Sequence, residues 1–139
     1  TVADIPAMLA EFELSDKADA LASELSRGMR QKLAIACGLL HRPAVLMLDE
    51  PLTGLDPLGI RRMKRTIAAR AQAGTAVILS SHLLPLVEEV CTRVLIIHRG
   101  ERVAYGTTGE IAADRPELAG RGLEEIFLSL TGQGDGPSP

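Results

Sequence analysis

Five consecutive apolar residues, Ala44-Val45-Leu46-Met47-Leu48, end without transition in Asp49-Glu50-Pro51. A strand with one wet face alternates apolar and polar residues. A continuous run instead fits a strand buried on both faces, as in a parallel sheet covered by helices. A second run, Ala76-Val77-Ile78-Leu79, ends in Ser80-Ser81-His82, and a third is Val94-Leu95-Ile96-Ile97. Between the first two lies a helical pattern that opens at Asp56-Pro57, a cap followed by proline at the first helical position. It turns Ile60, Met63, Ile67 and Ala71 inward and Arg61, Arg62, Lys64, Arg65 and Arg70 outward, and Gly74 stops it. Strand, helix, strand, helix, strand is the α/β pattern. None of the runs approaches the roughly 18 to 20 apolar residues of a membrane-spanning helix.

The flanking segments read as smaller pieces. Residues 4–14 predict a short amphipathic helix with Ile5, Met8, Leu9 and Phe12 at helical spacing, and residues 15–24 an Ala-rich one capped at Ser15 or Asp16. A longer helix runs from Ser26 to near His41, with Met29, Leu33, Ala36 and Leu40 as its core stripe. Pro85 helps start a helix reaching about Cys91, and Arg99-Gly100-Glu101 turns the third strand into a fourth at residues 102–105. Thr107 with Glu110 fits a capping box; residues 123–130 read as a last helix and 132–139 as a flexible tail. No repeat or interdomain linker is visible.

Composition narrows the function. A net charge of -3 argues against nucleic acid as the main partner, because phosphate binding wants a basic face. With 2% aromatic residues and no Trp, base-stacking platforms are not expected. Cys37 and Cys91 stand far apart among apolar residues without a CxxC pair, so they read as buried free thiols rather than zinc or disulfide partners.

Open α/β sheets bind ligands at the carboxyl ends of their parallel strands, where this chain places Asp49-Glu50 and Ser81-His82. Adjacent residues leaving a strand point to opposite sides. One carboxylate can therefore hold Mg²⁺ while the other orients an attacking water, and a histidine on the neighbouring strand can reach a phosphoryl oxygen. Each feature also has a plainer account: a solvated loop start, a helix-entry histidine, a cap at Asp56. Ser26-Arg27-Gly28 is equally two-sided. Ser26 is a good N-cap. Yet Gly28, in a first helical turn where glycine costs about 0.5 to 1 kcal/mol, also fits a backbone that approaches an anion closely.

The combination is specific. Leu25-Ser26-Arg27-Gly28-Met29-Arg30-Gln31 resembles the LSGGQ-type signature of the ATP-binding cassette (ABC) ATPases, and residues 45–51 resemble their Walker B strand. Gly54-Leu55-Asp56 is similar to their D-loop and Ser80-Ser81-His82 to their switch histidine, all in the family's order. The resemblance implies a P-loop NTPase-like (RecA-type) α/β fold, a mostly parallel sheet flanked by helices with its N-terminal part missing. Residues 1–25 would end a helical subdomain, and 26–131 would hold the signature helix and the rest of the catalytic core. It further implies ATP and Mg²⁺, with Asp49 supporting the metal, Glu50 as general base or water-orienting carboxylate, and His82 on the γ-phosphate. Ser26 and Gly28, with Gln31 supporting the loop, would face ATP held by a second nucleotide-binding subunit, and Asp56 would link the two sites. A membrane-spanning permease subunit and a peripheral place on the cytoplasmic membrane face follow from the same resemblance.

Departures accompany it. Arg27 stands where the family commonly has glycine, and the Ser-x-Gly-Met-x-Gln form with the ending at residues 123–132 resembles the drug- and polymer-exporting branch. No G-x-x-x-x-G-K-[ST] occurs in the 139 residues, nor a glutamine loop before the signature. The expectation is that both precede Thr1, so that the chain is a fragment and inactive alone. The rival readings are an ABC ATPase working without a transporter, and a non-hydrolysing piece that lends its signature loop to a partner's ATP.

Overall fold

The computed structural model describes residues 4–113 and 116–132. The chain divides into two compact units, one ending at His82 and one beginning at Leu83.

The first unit is a βαβ arrangement with helices before it. Helix α1 (Asp4–Glu11) leads through two 3₁₀ turns (Ser15–Lys17 and Ala22–Glu24) to α2 (Arg27–Leu39); β1 (Val45–Asp49), α3 (Pro57–Gln72) and β2 (Ala76–Ser80) follow. Strands β1 and β2 pair in parallel, Val45 opposite Ala76 through Asp49 opposite Ser80. Helix α3 is the crossover such a pair needs. Its cap is the expected one: Asp56 Oδ1 accepts from the Gly59 N–H at 2.6 Å, with Pro57 at the first position. At its other end the Gly74 N–H donates to Ala71 O and the Thr75 N–H to Arg70 O, both at 3.0 Å.

Five sequence expectations differ from the structure. Residues 15–24 form two 3₁₀ turns rather than a helix, because Leu21 is extended between them and alanines give no apolar stripe to dock. The β1 run is buried on one face only: Leu46 is enclosed, while Val45 and Met47 are 54% and 74% exposed. Helices α2 and α3 pack against β1 and β2, and the opposite face is bare among the described residues. In α2 the buried stripe is Ile35, Ala36 and Leu39, rotated from the predicted one, and in α3 Ala71 is exposed. That rotation leaves Cys37 exposed instead of buried, while Cys91 is partly covered; both are free thiols.

At the first unit's surface, Glu13 pairs with Arg62 and Lys32, and Glu11 with Arg70, tying the end of α1 to α2 and α3. Such exposed pairs contribute little individually.

The second unit is built on an antiparallel hairpin, β3 (Val94–His98) with β4 (Glu101–Gly106). Its two-residue turn has Arg99 at φ 52° and Gly100 at φ 82°, the left-handed pair that matches the twist of the strands. Helices α4 (Leu84–Val90), α5 (Thr108–Ala113) and α6 (Leu123–Thr131) close one face of it. Ile96, Ile111, Leu118, Leu123 and Ile126 form the core. The capping box is as expected, with Glu110 N–H to Thr107 Oγ1 at 3.0 Å and Thr107 N–H to Glu110 Oε2 at 2.8 Å. Of the expected tail, residues 133–139 lie outside the described residues. No described helix is long and apolar enough to cross a membrane.

Candidate active site

The carboxyl end of the β1–β2 ladder carries three of the singled-out side chains. Asp49 ends β1 opposite Ser80, and its Oδ1 accepts from the Ser80 hydroxyl across the ladder. One residue on, the backbone turns sharply: Glu50 has φ 46°, in the left-handed region that costs a non-glycine residue about 1 kcal/mol or more. Such a conformation persists only where neighbours over-determine it. Here the Glu50 N–H donates to Ser80 O at 3.0 Å. Its carbonyl accepts from the Thr53 N–H at 3.2 Å and from Gln31 Nε2 at 3.4 Å.

The reversal separates the two carboxylates and aims Glu50 at the end of β2. Its Oε1 accepts from the His82 N–H at 3.0 Å and meets His82 Nδ1 at 2.8 Å. Its Oε2 accepts from Thr53 Oγ1 at 3.0 Å and Ser81 Oγ at 3.3 Å. The hydrogen bond from the His82 ring holds the Glu50 carboxyl below its ordinary value, Thr53 adds in the same direction, and burial opposes both. Glu50 is therefore an ionised acceptor at neutral pH. The stability it contributes is present above the unfolded-state value and is lost as pH falls through the folded one. Because the carboxylate only accepts, Nδ1 carries the shared proton, and Nε2 of the 68% exposed His82 side chain is left for another partner.

The signature segment lies against the loop that follows Glu50. Ser26 caps α2, its Oγ accepting from the Met29 N–H at 3.3 Å. A Cβ added to Gly28 would stand 3.0 Å from Gly54 O, so the helix glycine has a packing reason: the two loops touch backbone to backbone. Gly54 itself sits at φ 79°, which requires glycine, with the Arg27 side chain over it. Asp49, Glu50 and His82 are thus brought to one edge, and Gln31 and Gly28 support the loop between Glu50 and Asp56. Ser26 and Asp56 are engaged as caps of their own helices. Sequence reasoning missed Thr53 and Ser81 as partners of Glu50; the three-residue spacing of a turn is the signal that points to Thr53.

The donor set suits a hard cation that brings its own ligands. Asp49 and the Ser80 hydroxyl are oxygen donors, and no group of three His, Cys, Asp or Glu side chains converges among the described residues. Mg²⁺ bound mainly through phosphate and water needs only one or two such protein groups.

Comparison with known proteins places the chain in a family. The family model described as ABC transporter matches residues 2–53. The chain is 33% identical over 127 residues to the ABC-type transporter ATP-binding protein EcsA of Bacillus subtilis (strain 168), covering 91% of this chain and 51% of that protein. A solved structure of an ATP-binding subunit of an ABC transporter superposes with a TM-score of 0.84 at 34% identity, covering 90% of this chain and 52% of that one. The chain belongs to the ABC transporter ATP-binding family. Its fold is accordingly the P-loop NTPase α/β fold, of which the described residues hold one parallel pair and one antiparallel hairpin. Another ABC relative, the Nod factor export ATP-binding protein I of Burkholderia thailandensis (strain ATCC 700388 / DSM 13276 / CCUG 48851 / CIP 106301 / E264), is 36% identical over 121 residues. That match covers 84% of this chain and 40% of the relative. The chain spans about half the length of EcsA and less of this second relative.

Proposed function

We propose that this chain carries the hydrolytic edge of an ATP-binding and ATP-hydrolysing subunit of an ABC transporter. The observation that carries the reading is Glu50, an ionised carboxylate held in a strained turn between His82 and Thr53 at the carboxyl end of a parallel pair. In this reading Glu50 accepts the hydrogen bond, and then the proton, of the water that attacks the γ-phosphate. His82 contacts a γ-phosphate oxygen, which the ring must meet as an N–H donor. Asp49 holds Mg²⁺, which when bound neutralises charge on the phosphates.

Ser26 and Gly28 present the start of α2 to ATP on a second nucleotide-binding subunit, and Gln31 braces that loop. Asp56 stands where the two sites would communicate. Residues 1–25 then belong to a helical subdomain and 26–131 to the catalytic core. Dimer closure on ATP would drive a membrane-spanning partner from the cytoplasmic face. The Nod factor export relative supports placement in the exporting branch.

Replacing Glu50 by Gln keeps size and hydrogen bonding but removes the base. In the ATP-hydrolysing subunit that contains these residues, turnover is expected to fall about 10² to 10⁴-fold with ATP binding retained. Turnover at the wild-type rate would sink the assignment.

A further inference from the structure

The partners of the Glu50 carboxylate are unevenly divided. Among the described residues Oε1 is met by His82, through its N–H and its ring, while Oε2 is met by the hydroxyls of Thr53 and Ser81. We infer that Thr53 is a positioning residue for Glu50: its hydroxyl pins Oε2, leaving Oε1 as the oxygen that exchanges its partner for the attacking water. The inference rests on the role proposed for Glu50 and adds a residue to it.

The turn supplies the reason. The Thr53 N–H closes back onto Glu50 O at 3.2 Å, so the element that holds the Glu50 backbone at φ 46° also fixes where the Thr53 hydroxyl lies. Gly54, at φ 79°, then carries the chain away, with Gly28 against its carbonyl. On the Oε1 side the His82 N–H is fixed in the backbone, and the mostly exposed ring is the partner that can turn outward and give way to water. On the Oε2 side Thr53 and Ser81 are half-buried. A carboxylate hinged at one oxygen keeps its plane when the other oxygen changes partner. Without the hinge, rotation about Cγ–Cδ moves both oxygens, and a misplacement near 1 Å is enough to slow proton transfer substantially.

Thr53→Val removes the donor and keeps the volume. In the ATP-hydrolysing subunit that contains these residues, kcat is expected to fall about 10-fold with KM for ATP nearly unchanged, and Thr53→Ser to restore kcat to within about twofold. In the ligand-free 139-residue chain, the carboxyl ¹³C resonance of Glu50, identified by its loss in Glu50→Gln, should move in Thr53→Val and return in Thr53→Ser. Thr53→Ala carries the same expectations should the valine variant not fold. Wild-type kcat and an unmoved resonance in Thr53→Val, alongside an inactive Glu50→Gln, overturn the inference and leave the role of Glu50 standing. A loss that Thr53→Ser does not rescue makes Thr53 a packing residue and overturns it equally. Full turnover in Glu50→Gln removes the role of Glu50 itself, and the inference with it.

Discussion

The unit that ends at His82 and the unit that begins at Leu83 use the same kinds of parts to different ends. In the second, one face of the hairpin is closed by helices, and Leu123 and Ile126 are 0% exposed. In the first, helices cover one face of the parallel pair, and Val45, Met47 and Ile78 remain open on the other. Both units hold non-glycine residues at positive φ: Glu13, Arg42 and Glu50 in the first and Arg99 in the second. Arg99 occupies a two-residue hairpin turn, where strand twist alone demands the conformation. Glu50 is held by bonds from β2, from α2 and from its own turn, and its side chain is the centre of a polar cluster. Strain at Arg99 serves the connection. Strain at Glu50 aims a carboxylate at the end of β2.

The largest expected difference is in the cores. Ile126→Ala should destabilise the chain by about 2–5 kcal/mol, because it leaves a cavity at a fully buried core position. Met47→Ala, on the open face of β1, should change stability by less than about 0.5 kcal/mol. Urea unfolding of both variants tests the contrast, and equal losses would show that the two faces are covered alike.

A smaller contrast concerns helix glycines. Gly28→Ala forces a Cβ against Gly54 O, so a net loss of about 1 kcal/mol remains after the helix-propensity gain. Gly109→Ala in α5 meets only Thr107 Oγ1 at 4.0 Å and should stabilise by about 0.5 kcal/mol. Opposite signs in the same denaturation assay are the outcome to look for; a stabilised Gly28→Ala would mean the two loops do not press together.

The smallest is the hairpin turn. Arg99→Asn supplies a residue that tolerates positive φ before Gly100 and should raise stability by about 0.5 kcal/mol. A loss in thermal or urea unfolding would show that Arg99 does more than turn the chain.

Local features were readable in the residues because their causes are local. The Asp56 and Ser26 caps, the Thr107–Glu110 box, the hairpin turn and the parallel strands all follow from side chains within a few positions of one another. Asp49, Glu50 and His82 were readable as an edge because strand ends in a parallel pair share one side of a sheet. The failed expectations depended on what lies across space. Residues 15–24 lacked a partner for a helical face, and the rotation of α2 that exposes Cys37 was set by what Ile35, Ala36 and Leu39 could bury.

The sequence by itself determined the α/β order, the strand ends that bear the carboxylates and histidine, and a signature specific enough to place the family. Tertiary structure alone decided that Glu50 turns back at φ 46°, which oxygen meets His82 and which meets Thr53, and that Gly28 is glycine because Gly54 O lies against it. The physical reason is one of range. Capping and strand burial are written into neighbouring residues, whereas a carboxylate's orientation is the joint result of β1, β2, α2 and a turn meeting at one point.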